Sequence, residues 1–261
     1  MKKYYFLTGI PRAGNTILSC ILNQNKDIGV TGNSILPEIF YNLEQTRKNN
    51  EAYLNYPDEA SYNCMLSNIL KSYYSEWDSS YIIDRSSWGT PYNYELLQKY
   101  CPNEIKIICL VRNVEEVFAS FIDWSNNNPK NYINSNTNNG TIDDKFRFLF
   151  NPDGQLVRSL ASVKNLMLNH KENIIIIDYD DLVEDVSGQI DRIYEFLNIP
   201  KFQHNFNYIK QTLKYDDSIL GNNLHKIRVS GMKRRKYSVN IPTKILDTCK
   251  TFNFWKTIDT L

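Results

Sequence analysis

Several features that would mark a functional class are missing from this 261-residue chain. Its five cysteines, Cys20, Cys64, Cys101, Cys109 and Cys249, are odd in number, scattered and without a C-x-x-C pair. That argues against a disulfide framework and for reduced thiols, so a cytoplasmic location is expected. The three histidines, His170, His204 and His225, lie far apart and form no metal-ligand spacing. No apolar run approaches the roughly 20 residues a membrane helix requires. Net charge is only +1, so nothing draws the chain as a whole to nucleic acid or an anionic membrane. Any anion site must come from local clustering. Met1-Lys2-Lys3 with the apolar residues running to Cys20 imitates a lipoprotein leader, but Pro11, Arg12 and Asn15 break the apolar core that such a leader needs.

Hydrophobic content of 42% supports a sizeable core, and the length suits a single α/β domain with a helical insertion. Tyr4–Leu7, Tyr81–Asp84, Ile105–Val111 and Ile174–Ile177 read as short apolar strands. Helical periodicity covers Pro37–Arg47, Ala60–Trp77, Tyr92–Tyr100, Val114–Trp124, Asp153–Asn169, Asp180–Leu197 and Thr243–Trp255. Alternation of strand and helix predicts a central parallel sheet covered on both faces, a three-layer α/β/α arrangement. The insertion lies at about residues 37–78, broken at Asn55-Tyr56-Pro57-Asp58. Asp27–Asn33 reads as a turn-rich loop. Residues 126–140, rich in asparagine and without apolar periodicity, read as a mobile surface loop. Asn113 is a candidate helix cap. The stretch 216–240 has no periodicity but carries Lys226, Arg228, Lys233, Arg234, Arg235 and Lys236.

The chemistry concentrates in Thr8-Gly9-Ile10-Pro11-Arg12-Ala13-Gly14-Asn15-Thr16-Ile17, a strand–loop–helix junction that exposes backbone N–H groups to an anion. Gly9, Gly14 and Thr16 match the phosphate-loop pattern G-x-x-x-x-G-K-[ST], but Asn15 stands where the lysine belongs. That lysine contacts the β- and γ-phosphates of nucleoside triphosphates, so its loss argues against their hydrolysis. A second anion site is suggested by Arg112, at the carboxyl end of a buried strand, with Ser120 two helical turns beyond Asn113. A guanidinium fork and a hydroxyl suit one phosphate.

Together these segments resemble the sulfotransferases that use 3′-phosphoadenosine 5′-phosphosulfate (PAPS), in particular bacterial and phage-type members, with tyrosylprotein sulfotransferases more distant. Pro11-Arg12-Ala13-Gly14-Asn15-Thr16 is similar to the 5′-phosphosulfate loop. Arg112 followed by Ser120 resembles the 3′-phosphate motif. Tyr179-Asp180-Asp181-Leu182 resembles the segment whose tyrosine approaches adenosine. The resemblance implies a P-loop-like fold and transfer of a sulfuryl group to a hydroxyl or amine, with no metal required. It implies that Arg12, Ala13, Gly14, Asn15, Thr16 and Ile17 hold the 5′ end, Arg112 and Ser120 the 3′-phosphate, and Tyr179 the adenosine. Lys233, Arg234 and Lys236 would match the basic loop that closes over the nucleotide. Arg12 and Arg85 would stabilise the transferring group. Many members carry a Lys-Thr-His segment whose histidine is the base; here Asp84-Arg85-Ser86-Ser87-Trp88 stands in that position. Glu38 is therefore the first candidate base and Asp84 the second. Small-molecule, carbohydrate and peptide-tyrosine acceptors all stay open. So does an alternative class, a phosphate-loop nucleotide kinase with Asp178 on magnesium, and so does a catalytically inactive nucleotide-binding relative.

Overall fold

The computed structural model describes residues 2–101, 104–138, 140–221, 223–227, 229–235 and 237–257. The chain enters through β1 (Lys3–Gly9), turns at residues 10–14 into α1 (Asn15–Leu22), and returns through β2 (Ile28–Val30). The insertion follows as α2 (Leu36–Asn49), α3 (Glu51–Asn55) and α4 (Glu59–Tyr73), leading to β3 (Tyr81–Arg85). Then come α5 (Pro91–Tyr100), β4 (Ile107–Val111) and α6 (Val114–Asn127). Two short helices, α7 (Tyr132–Ser135) and α8 (Ile142–Leu149), precede α9 (Gln155–Asn169) and β5 (Ile174–Asp178). The chain continues as α10 (Tyr179–Glu184), α11 (Val186–Leu197), an irregular tail, and α12 (Thr243–Lys250).

The five strands form one parallel sheet in the order β2-β3-β1-β4-β5, flanked by helices. Every residue of β4 is buried, as a strand covered on both faces must be, which explains its unbroken apolar run. From β1 the chain leaves toward β2 and β3; from β4 it leaves toward β5. The carboxyl ends of β1 and β4 therefore border the crevice where connections diverge, the usual ligand site of open α/β sheets. Under that edge, Trp88 is fully buried, edge-on to Phe6 of β1 and Phe40 of α2, and Phe40 stacks on Tyr100 of α5. These rings pin the insertion to the sheet.

Four sequence expectations need correction. Asp27–Asn33 is not only a loop, because Ile28–Val30 pairs with β3. Asp180–Leu197 is two helices, since Asp185 accepts a hydrogen bond from Gly188 N and starts a new one. The described part of 126–140, which leaves out Asn139, is not bare loop. Asn126 and Asn127 end α6, and the buried Asn131 side chain caps α7 by accepting from the Ile133 and Asn134 amides. Asn113 occupies the cap position of α6 without capping it; Asn253 Oδ1 accepts from Val114 N instead, at 2.8 Å.

Candidate active site

The 10–14 turn owes its shape to two glycines. A Cβ on Gly9 would lie 2.5 Å from the Leu110 carbonyl oxygen, so only glycine lets β1 and β4 approach at this point. Gly14 has φ +95°, and a Cβ there would meet the Tyr179 ring at 3.2 Å. Between them Arg12 takes φ +64°, an uncommon backbone conformation for a residue with a side chain. Beyond the turn, the first N–H groups of α1 have no side-chain cap and no acidic residue beside them, which leaves the positive end of the helix open to an anion.

Asn15 shows what replaces the missing lysine. Its Nδ2 donates to Ile10 O at 2.9 Å, so the side chain staples the turn rather than reaching a ligand as a cation. Its buried Oδ1 has no hydrogen-bond partner among the described residues. Around the turn, positive charge comes from Arg12, Arg85 and Arg112, which reach the cavity from the turn itself and from the ends of β3 and β4. Arg12 donates through Nε to Ser120 Oγ at 3.0 Å and through Nη1 to Leu224 O at 2.6 Å. Arg85, at the end of β3, donates to Thr16 Oγ1 at 3.3 Å. Among the described residues neither guanidinium is paired with a carboxylate. Burial lowers the pKa of both, that of Arg85 to about 10. Two desolvated cations without counter-charge on one cavity wall are a site built for an anion.

Arg112 is placed differently. It is buried, donates to Arg12 O at 3.0 Å, and pairs with Glu116 through Nε and Nη2 at 3.2 and 3.0 Å. Its guanidinium sits 4.0 Å from the Tyr179 ring centre and 5.6 Å from that of Tyr237. Ser120, on α6, is buried, lines the same cavity and accepts from Arg12, whose carbonyl accepts from Arg112.

These residues line one cavity of about 740 Å³. Gly14, Asn15, Thr16, Ile17, Arg12, Arg85, Arg112, Ser120, Tyr179, Lys233 and Glu38 all contribute to its wall, so most of the sequence-predicted set comes together. Ala13 does not. It is fully buried, and its amide turns to Ile10 O at 3.4 Å. Arg234 does not either; it pairs with Glu116 and Asp180 at 2.9 and 3.0 Å. Lys236 and Arg228 lie outside the described residues. Glu38 is exposed in the first turn of α2.

Asp84, the second candidate base, is overturned by its surroundings. It is buried away from the cavity wall and accepts from the Tyr74 hydroxyl and, at 2.6 Å, from Trp88 Nε1. Asp178, the acid of the kinase alternative, is also occupied: it caps α10 at Asp180 N and accepts from Trp255 Nε1 at 3.2 Å. Sequence reasoning missed Tyr237, Arg158 and His225, which line the same cavity. No spacing rule marks them, since two belong to the irregular tail and one to the outer face of α9.

A family model described as the sulfotransferase domain matches residues 2–237. The chain belongs to the sulfotransferase family. No curated protein matches it. Among solved structures, the sulfotransferase domain of the Synechococcus PCC 7002 olefin synthase superposes with a TM-score of 0.56 at 15% identity, covering 96% of this chain and 94% of that one. The sulfotransferase domain from the curacin biosynthetic pathway gives 0.52 at 15% identity, with coverages of 98% and 91%. A sulfotransferase from Alicyclobacillus acidocaldarius gives 0.50 at 14%, with coverages of 83% and 87%. Those likenesses establish the shared fold, and the nucleotide-kinase alternative finds no support among them. Among the described residues no helix of this sulfotransferase is long and apolar enough to cross a membrane.

Proposed function

We propose that this sulfotransferase moves the sulfuryl group of PAPS to a hydroxyl or amine acceptor and releases 3′-phosphoadenosine 5′-phosphate (PAP), working in the cytoplasm. One observation carries the reading: Arg12, Arg85 and the open end of α1 face a single cavity, and among the described residues no carboxylate neutralises either guanidinium. A nucleotide with an anionic group at both its 3′ and 5′ ends supplies what is missing. The amides of residues 14–17 with Thr16 would bind the 5′-phosphate, Arg112 and Ser120 the 3′-phosphate, and Tyr179 the adenosine, with Lys233 above. Lys236 and Arg234 remain proposed contacts of a closed basic loop.

Transfer proceeds in line by analogy with phosphoryl transfer. The acceptor oxygen bonds to sulfur while the bond from sulfur to the 5′-phosphate oxygen breaks. Charge grows on that departing oxygen, where Arg12 stabilises it, and Arg85 faces the sulfuryl oxygens. Glu38 adds a carboxylate on the acceptor side. The walls beyond the nucleotide are rich in hydroxyls and amides, with Ser86, Ser87, Asn93 and Gln155 beside Arg158. Such walls favour a polar, hydroxylated acceptor, a carbohydrate above an apolar phenol or a peptide tyrosine.

Titration calorimetry with PAP in EDTA, against ATP with magnesium, tests the donor. Tight PAP binding without metal is expected; binding of magnesium–ATP alone would sink the reading. A panel of acceptors with radiolabelled PAPS then tests transfer, and PAP release with any of them excludes an inactive relative.

A further inference from the structure

Proton removal from the acceptor needs a base whose free lone pair is aimed by a third group. Glu38 meets only half of that requirement, because among the described residues no hydrogen bond fixes its carboxylate. The irregular tail supplies the rest. Asp217 is buried and accepts twice from one residue: His225 N donates to Oδ2 at 3.1 Å, and His225 Nδ1 donates to Oδ1 at 2.6 Å. That pairing assigns the proton to Nδ1 and leaves Nε2 as the acceptor end of a ring that lines the cavity.

The surroundings hold this pair in place. Leu224, the residue before His225, gives its carbonyl to Arg12 Nη1 at 2.6 Å, so the imidazole begins one residue from the cation assigned to the departing oxygen. Gly221 N closes a turn on Asp217 O at 2.8 Å, and Tyr132 N donates to Leu220 O at 3.0 Å. Gly221 has φ +124°, and a Cβ there would lie within 3 Å of Asn131 and Trp124, so the turn is packed onto α6 and α7.

Building on the sulfuryl-transfer reading, we infer that His225 is the catalytic base and Asp217 its positioning residue. The acceptor O–H proton passes to His225 Nε2 as the oxygen bonds to sulfur. The electron pair of the breaking S–O bond leaves on the 5′-phosphate of PAP. Asp217 stabilises the imidazolium until it loses the proton to solvent.

Single-turnover conversion of radiolabelled PAPS, with enzyme in excess, tests this with two probes: water as acceptor, and any panel compound the enzyme sulfates. His225→Gln should lower the rate about 10²-fold or more while PAP affinity by calorimetry is unchanged. His225→Ala should regain rate with added imidazole, which separates lost chemistry from a disturbed loop. In steady-state assays with a sulfated panel compound, Asp217→Asn should lower kcat with acceptor KM unchanged, and in single turnover the double variant should be no slower than His225→Gln alone. Equal rates in wild type and His225→Gln, additive losses in the double variant, or a loss confined to Glu38→Gln would each overturn the assignment. Wild-type protein that binds PAP yet neither hydrolyses PAPS nor sulfates any compound of the panel would instead sink the transfer reading, and this one with it.

Discussion

The central carbon of the Arg112 guanidinium lies 4.0 Å from the Tyr179 ring centre and 5.6 Å from that of Tyr237. Attraction between the cation and the ring faces helps hold the guanidinium at this strand end, where it lines the cavity. Glu116 occupies part of that fork now and is shared with Arg234. The strand end, the tail and the segment after β5 therefore meet on one side chain.

Removing that side chain should cost nucleotide binding first. Arg112→Ala is expected to weaken PAP affinity by about 10- to 150-fold, the value of one charge-assisted hydrogen bond. Arg112→Lys should recover little, because a lysine cannot offer a planar fork. Calorimetry with PAP measures both, and Ser120→Ala should follow in the same direction.

Arg12 should separate binding from turnover. Its Nε is committed to Ser120 and its Nη1 to Leu224, while the charge it is assigned to meet appears only as the S–O bond breaks. Arg12→Ala is expected to lower kcat by about 10²-fold or more and to change PAP affinity much less. Equal losses in both would make Arg12 a binding residue only.

Arg85 should show stability and activity in opposition. Burial holds its pKa down at about 10, so at neutral pH it is charged at a cost to the fold. The unfolded state binds the extra proton between about pH 10 and the usual arginine range, and stability from this group rises with pH across that window. Arg85→Met should raise the thermal midpoint at pH 7 and abolish transfer. A fall in both would contradict this account.

Asp84 should behave as structure and not as chemistry. Burial raises its pKa, so the stability it contributes is present below the ordinary carboxyl range and is lost as pH rises through its folded pKa. Asp84→Asn should leave transfer nearly unchanged. Asp84→Ala leaves the Tyr74 and Trp88 donors unpaired and should destabilise the fold by about 1–3 kcal/mol for each, read by chemical denaturation.

What could be read from the chain beforehand was whatever local spacing encodes. Gly9, Gly14 and Thr16 are fixed by one turn, and Arg112 and Ser120 by one strand end and two turns of helix, so both halves of the candidate site were legible. The strand Ile28–Val30 was not, because three residues carry no period and its partner, β3, lies some fifty residues on. Asn131 misled because asparagine suits loops and helix caps alike, and only burial distinguishes them. Ala13 fits the motif yet faces inward, since a phosphate turn needs one residue whose amide closes it. Asp217 and His225 left no trace; their contact depends on a turn without periodicity.

Tyr74 sits at the close of α4 and Asp84 directly precedes Arg85, so the hydroxyl-to-carboxylate contact ties the inserted helices to the strand that carries Arg85. Anyone redirecting this enzyme to a new acceptor inherits that joint. Swapping the whole insertion from another protein would disturb Arg85 along with the wall, whereas substitutions at Ser87, Asn93 and Arg158 change the cavity wall without touching that joint.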